Sequence, residues 1–159
     1  MHFDLTVIIP TFNEEENIEK MVFAVDAVCR SHKINEEILV VDDSSADNTI
    51  TIVKRLMDGH PFLHLLIRTQ NPGLSPSIYD GIKEAKSDLI QCLDCDFSHP
   101  PEKIPIFYNL LKNDEYDMVI GSRYIKGGEV INWPLLRRVL SSGAALLSRL
   151  LIPHIKDSG

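Results

Sequence analysis

Residues 5–16 read LTVIIPTFNEEE, and the order of residue types inside that stretch decides the fold. The apolar run at 5–10 has the length of a buried strand, since helices need about ten residues or more. Asn13 then offers a side-chain oxygen that can cap a helix. Glu14, Glu15 and Glu16 fall in the first turn of that helix, where its dipole favours negative charge.

The same order of strand, polar turn and helix recurs along the chain. ILVV at 38–41 is a second strand that ends at Asp42 and Asp43, and a helix follows over about 47–57. Residues 63–68 make a third strand. Gly73 and Ser75 mark a loop, and Pro76 suits the first position of the next helix. Residues 88–94 (DLIQCLD) make a fourth strand, Pro100 and Pro101 open a helix to about Lys112, and 117–121 (DMVIG) make a fifth strand. Repeated β–α units predict an α/β domain: a mostly parallel, Rossmann-like sheet with helices on both faces. No repeat, linker or low-complexity tract interrupts the 159 residues, so one domain spanning 1–159 is expected.

Composition narrows the function. Hydrophobic residues make up 44% of the chain, enough for a sizeable core. The formal net charge of −7 argues against a general nucleic-acid binder. That charge is uneven: residues 1–121 hold 10 Lys/Arg against 21 Asp/Glu, and residues 122–159 hold 6 against 2. An acidic body with a basic tail suits a cation on the body and an anion near the tail. Three cysteines make no disulfide framework and fit a reducing compartment. Cys92 and Cys95 form a C-x-x-C, but positions three apart on a strand face opposite sides, and no second pair completes a zinc site. The start of the chain has no basic region and cleavage site of a secretory signal, and no stretch reaches the ~20 apolar residues that span a bilayer.

In parallel α/β sheets, ligands bind beyond the carboxyl ends of the strands. The polar residues of this chain gather there: Pro10 to Glu14 after the first strand, Asp42 to Ser44 after the second, Asp94 to Asp96 after the fourth, and Gly121 to Arg123 after the fifth. Loop ends are polar in most proteins. Several acids converging on one edge are costly, however, without a cation. Asp94 and Asp96 are two apart, so on a strand they face one side while Cys95 faces the other. Hard carboxylate oxygens suit Mg²⁺ or Mn²⁺, ions often held by one or two carboxylates plus substrate phosphates. His99 is a possible added ligand, or a loop residue bonded locally.

The segments IIPTFNEEENI, VVDDSSADNT, GLSPSIYDGIKEA, LDCDFSHPPEKIP, VIGSRYIKGG and WPLLRRVLSSGA occur in this order. Together they resemble the dolichol-phosphate (polyprenyl-phosphate) mannosyltransferases, family 2 glycosyltransferases of the A-type fold. The resemblance covers the whole chain. It implies transfer of mannose from GDP-mannose to a dolichyl or polyprenyl phosphate with a divalent metal, at the cytosolic face of a membrane. It implies that Pro10, Phe12, Glu14, Val41 and Asp43 contact the nucleotide, with phenylalanine where the family usually has tyrosine. Asp94 and Asp96 match the metal ligands, and Ser98 falls where some members have a glutamine that reaches the metal. Cys95 comes near the donor through its backbone. Arg123 matches an arginine between donor and acceptor phosphates, and Arg137 and Ser141 match the lipid-phosphate site. Related enzymes continue beyond the point that matches Gly159, so the resemblance implies the front two-thirds of a catalytic domain.

Arg137 and Ser141 also have a reading of their own. Positions four apart share a helix face. Leu135, Leu136, Val139, Leu140, Leu146, Leu147, Leu150 and Leu151 supply an apolar side, so 133–153 suits either a membrane-interface helix or a core helix with solvated arginines. The resemblance favours the interface. A UDP-glucose-dependent polyprenyl-phosphate glucosyltransferase shares most of these motifs and is the nearest alternative. ILVVDDSS also resembles the start of a phospho-receiver domain, although some 40 organised residues precede it. A phosphatase built on D-x-D-x-S would carry that motif on its first strand, whereas here it follows the fourth.

Overall fold

The computed structural model of the chain describes residues 2–113 and 116–121. The chain divides into two compact units, Met1–Asp117 and Met118–Gly159. The sheet and its helices belong to the first.

Four strands, β1 (Leu5–Thr11), β2 (Glu36–Asp42), β3 (Leu63–Ile67) and β4 (Ile90–Cys92), form one sheet in the order β3-β2-β1-β4. Every pairing is parallel. The helices are α1 (Ile18–Ser31), α2 (Thr49–Met57), α3 (Leu74–Glu84) and α4 (Ile104–Leu111), the last entered through a single 3₁₀ turn at Pro101–Lys103. The order shows why the first 40 residues are no appendage: β1 lies between β2 and β4 at the centre of the sheet. A receiver domain beginning at Ile38 is incompatible with that.

β1 and β2 are buried almost throughout, as expected of central parallel strands that are covered on both faces. Alternate residues feed two layers. Leu5, Val7, Ile9, Ile38 and Val40 join the larger core with Ile18, Met21, Val22 and Val25 of α1, Val53 of α2 and Ile104 of α4. Each such side chain contributes about 1.5–3 kcal/mol by leaving water. Ile8, Leu39 and Val41 face the other way, beneath α3. That helix lies close because of Gly81. A Cβ there would meet Ile8 Cγ2 at 2.9 Å and Val41 Cγ2 at 3.1 Å.

Four sequence expectations need correction. α1 begins at Ile18 and not beside Asn13, which takes a left-handed backbone (φ 57°). The Glu14 carbonyl accepts the amides of Asn17 (3.0 Å) and Ile18 (2.9 Å), so the glutamates make a turn before the helix. Pro76 sits in the third position of α3, because the chain is already turning at Leu74. β4 is shorter than 88–94. The Leu93 amide still reaches the Ile8 carbonyl (3.0 Å), but Asp94 to His99 leave the ladder as a turn. Residues 117–121 carry no strand, with Met118 and Ile120 exposed. Three apolar residues define a strand only when a neighbour pairs with them.

The connections set the position of a site. α1 and α2 share one face of the sheet and α3 covers the other, so the winding reverses between β1 and β4. The carboxyl end of a doubly wound sheet opens a crevice at such a reversal.

Candidate active site

Two loops flank that reversal. After β1, Phe12 stands 61% exposed beyond the buried Thr11, a free aromatic face at the sheet edge. The loop beneath it is stitched to the loop after β2. The Asn13 amide donates to Ser45 Oγ (2.8 Å), the Ala46 amide donates to Asn13 Oδ1 (2.9 Å), and the Glu14 amide donates to Thr49 Oγ1 (2.8 Å). Glu15 accepts from both the amide and the side chain of Asn48 (2.9 and 2.8 Å). Glu14, half-buried, accepts from Asn17 Nδ2 (3.0 Å). Pro10 is half-buried at the end of β1, and Val41 is fully buried in β2.

After β2 the two aspartates divide their work. Asp42 is fully buried. It accepts from the hydroxyls of Thr11 (2.8 Å) and Ser45 (2.7 Å) and from the Ser45 amide (2.7 Å). It ties strand to loop and offers nothing to a ligand. Asp43 accepts from Arg68 Nη1 through Oδ1 and from the Gly73 amide through Oδ2 (2.6 Å). Burial works to raise its carboxyl pKa, but the Gly73 amide, the Ser77 hydroxyl and Arg68 together hold it below the ordinary value.

After β4 the pattern changes. Asp94 is half-exposed and Asp96 and Ser98 are exposed. The Ser98 amide donates to Asp96 Oδ1 (2.8 Å), so Ser98 faces this carboxylate. Phe97 between them takes a left-handed backbone (φ 60°), strained for a bulky residue. His99 Nδ1 lies 3.5 Å from Asp94 Oδ2. Burial acts to raise the Asp96 carboxyl, yet Ser98 and the nearby His99 leave it lowered, so it stays a carboxylate. Cys95 is buried in the larger core with its thiol pushed up to about 12, first by burial and then by Glu14, Asp96 and Asp94. Cys92 is exposed, so the C-x-x-C is divided between core and surface.

Among the described residues, no three His, Cys, Asp or Glu side chains converge into a ready metal cage. The donor set nevertheless fits a hard divalent ion. Mg²⁺ and Mn²⁺ keep several waters and complete their shells with substrate phosphates, so two open carboxylates suffice. Asp94 and Asp96 are the residues that would hold such an ion.

These features, a parallel sheet of reversing order and an open carboxylate pair at the reversal, coincide with a family match. The family described as Glycosyl transferase family 2 matches residues 6–157. The chain belongs to it. The dolichol-phosphate mannosyltransferase of Pyrococcus furiosus is 42% identical over 153 residues, covering 96% of this chain and 42% of that protein. The dolichol-phosphate mannosyltransferase of Mycosarcoma maydis is 35% identical over 149 residues, covering 91% of this chain and 50% of that protein. Among solved structures, the mannosyltransferase PcManGT from Pyrobaculum calidifontis, in complex with GDP-Man and Mn²⁺, superposes with a TM-score of 0.60 at 26% identity. That match covers 75% of this chain and 34% of PcManGT. The chain spans about half the length of the curated relatives it matches. The fold is thus the A-type glycosyltransferase fold that the motif order implies.

The family 2 domain brings Phe12, Glu14, Val41, Asp43, Asp94, Cys95 and Asp96 to one edge of the sheet, together with Pro10 and Ser98. Arg123, Arg137, Ser141 and the helix expected at 133–153 lie outside the described residues. Sequence reading missed Arg68 and Ser77, which stand on Asp43, and Asp80, which pairs with Arg68. One signal was present: Arg68 closes the third apolar run, at the same edge as the aspartates.

Proposed function

We propose that the protein transfers mannose from GDP-mannose to dolichyl or another polyprenyl phosphate, giving the lipid-linked monophosphosugar. The observation that carries this reading is the open Asp94–Asp96 pair at the sheet reversal of a chain so similar to dolichol-phosphate mannosyltransferases. In this reading Phe12 stacks on the nucleoside, and Asp43 meets the ribose with lone pairs that Arg68 and Gly73 do not use. Asp94 and Asp96 would hold the divalent ion, Mn²⁺ or Mg²⁺. When bound, that ion supplies charge neutralisation to the departing diphosphate.

An oxygen of the acceptor phosphate attacks the anomeric carbon, the bond from that carbon to the diphosphate breaks, and GDP leaves. A phosphate monoester has a second pKa of about 6 and is ionised at neutral pH. It needs no general base to become a nucleophile. The protein's contribution is positioning and charge balance. In this scheme Arg123, Arg137 and Ser141 hold the acceptor phosphate, the last two on the membrane-interface helix expected at 133–153. No helix among the described residues is long and apolar enough to cross a membrane.

The test is transfer. Incubation with GDP-mannose, dolichyl phosphate in phospholipid vesicles and Mn²⁺ is expected to yield dolichyl phosphate mannose, and omission of the metal to abolish it. Glucose transferred from UDP-glucose in its place overturns the sugar assignment. No transfer from either donor overturns the reading.

A further inference from the structure

Arg68 is buried at the carboxyl end of β3, and its side chain ends among four acceptors on three separate segments. Nη1 donates to Asp43 Oδ1 and to Ser77 Oγ (3.0 Å), Nε donates to Asp80 Oδ2 (2.7 Å), and Nη2 donates to the Asn71 carbonyl (3.0 Å). Its own backbone is fixed as well. Its amide donates to the Asp42 carbonyl (2.8 Å), and its carbonyl accepts from Ser44 Oγ (2.6 Å). The ring of contacts closes through the loop before α3. The Gly73 amide donates to Asp43 Oδ2, and Ser77 Oγ donates to the Gly73 carbonyl (2.8 Å). Gly73 takes φ 143° and Asn71 φ 49°, so this loop adopts a conformation that side-chain-bearing residues rarely choose.

We propose that Arg68 is a positioning residue for the nucleoside subsite: it fixes the Asp43 carboxylate in the one orientation that leaves lone pairs for the ribose hydroxyls. The inference rests on the functional reading above, which gives Asp43 the ribose. A carboxylate offers about four acceptor sites. Arg68 and Gly73 occupy one on each oxygen, with the Ser77 hydroxyl also close, which stops rotation of the group and dictates where the free lone pairs point. Arg68 also cancels one of the two negative charges of Asp43 and Asp80, beside a site that must admit an anionic nucleotide. The planar fork of arginine can serve Asp43, Asp80 and Asn71 together. The ammonium of lysine is a single point with a shorter reach and cannot.

The experiment compares GDP with 2′,3′-dideoxy-GDP by titration calorimetry in the presence of Mn²⁺. Wild-type protein is expected to bind GDP about tenfold more tightly than the dideoxy form, the effect of leaving a buried acceptor unpaired. Arg68→Lys retains the charge and loses the fork, and its preference for GDP is expected to fall below about threefold while Mn²⁺ still supports binding. A merely structural role would lower the melting temperature and leave that ratio alone. Should Arg68→Lys not fold, Asp80→Asn removes one anchor of the guanidinium from a half-exposed position and is expected to lower the ratio by about half. An unchanged ratio in the folded variants overturns the inference and leaves the functional reading standing. Wild-type protein that binds GDP without discriminating the dideoxy form overturns the inference through Asp43. Wild-type protein that binds neither nucleotide overturns both.

Discussion

At the amino end of the sheet the Glu37 carboxylate is 1% exposed, and at the carboxyl end the Asp94 carboxylate is 44% exposed. Glu37 accepts from the Thr6 hydroxyl (2.7 Å) and the Lys86 amide (2.8 Å), and the Lys86 ammonium and the His64 ring stand at 3.3 and 3.6 Å. Its charge is answered from within the chain. Asp94 faces His99 at 3.5 Å, and Asp96 has the Ser98 amide. A buried carboxylate that lacked partners would not be tolerated, so internal pairing marks a structural acid. An exposed pair held in a strained turn at a sheet reversal has no such structural need. At the candidate edge Asp42 is as buried and as internally bonded as Glu37, whereas Asp43 is anchored by Arg68 and the Gly73 amide and keeps lone pairs free.

The comparison breaks if Asp96 proves structural. Asp96→Ala is expected to lower mannosyl transfer by about 100-fold or more, the scale on which lost charge stabilisation in a transition state is measured. The same variant is expected to change stability in urea by no more than about 0.5 kcal/mol, as for other exposed positions. Loss of stability with activity retained would reverse the assignment. Glu37→Leu is the mirror experiment. It strands the Thr6 hydroxyl and the Lys86 amide and leaves the Lys86 ammonium without its partner, at an expected loss of about 3–5 kcal/mol in urea unfolding. The folded fraction should bind GDP as tightly as wild type, because Glu37 lies at the opposite end of the sheet.

How much of this was legible beforehand differs by region for physical reasons. The apolar runs in β1 and β2 are buried on both faces, and such strands announce themselves without alternation. The sheet class and the edge that carries the candidate site followed from them. Asp94 and Asp96 stood out as candidates because like charges two apart are conspicuous after an apolar run, although the chain holds them in a turn and not on a strand. Asn13 misled as a cap because its oxygen is taken by the Ala46 amide, a partner 33 residues away that no local pattern encodes. Arg68 and Asp80 were missed for the same reason: their meaning lies in Asp43, 25 residues from Arg68, and in the packing of α3.

Gly81 couples the two ends through the middle. It lets α3 lie on Ile8 and Val41, and Val41 leads directly to the Asp42–Asp43 edge. Gly81→Ala places a Cβ 2.9 Å from the Ile8 side chain and is expected to destabilise by about 1–3 kcal/mol, the usual result of overpacking. Melting of the variant with and without GDP separates lost packing from lost binding. A normal melting temperature would mean that α3 shifts freely, and the Asp43–Gly73 contact should then loosen with it.

The smallest effect lies at the amino end, beside Glu37. Glu36 is 4% exposed, and its carboxyl is raised from the ordinary 4.5 to about 7. Burial is the main cause, with the Asp26 carboxyl adding to it while the Glu36 backbone and Arg30 oppose it. Arg30 is committed to Asp26 at 2.6 Å, which limits what it gives Glu36. A carboxyl whose pKa is higher in the fold than in the unfolded chain favours folding when protonated. Its contribution is complete below about pH 4.5 and is lost as pH rises to about 7. His64 runs the other way: burial and then the Lys86 charge lower its pKa, so its contribution is lost as pH falls. The raw stability profile mixes the two, and Glu36→Gln separates them. The variant should be more stable than wild type at pH 8 by about 1–2 kcal/mol and no more stable at pH 4. An equal gain at both values would mean that the substitution improves packing and that the charge on Glu36 is answered after all, as at Glu37.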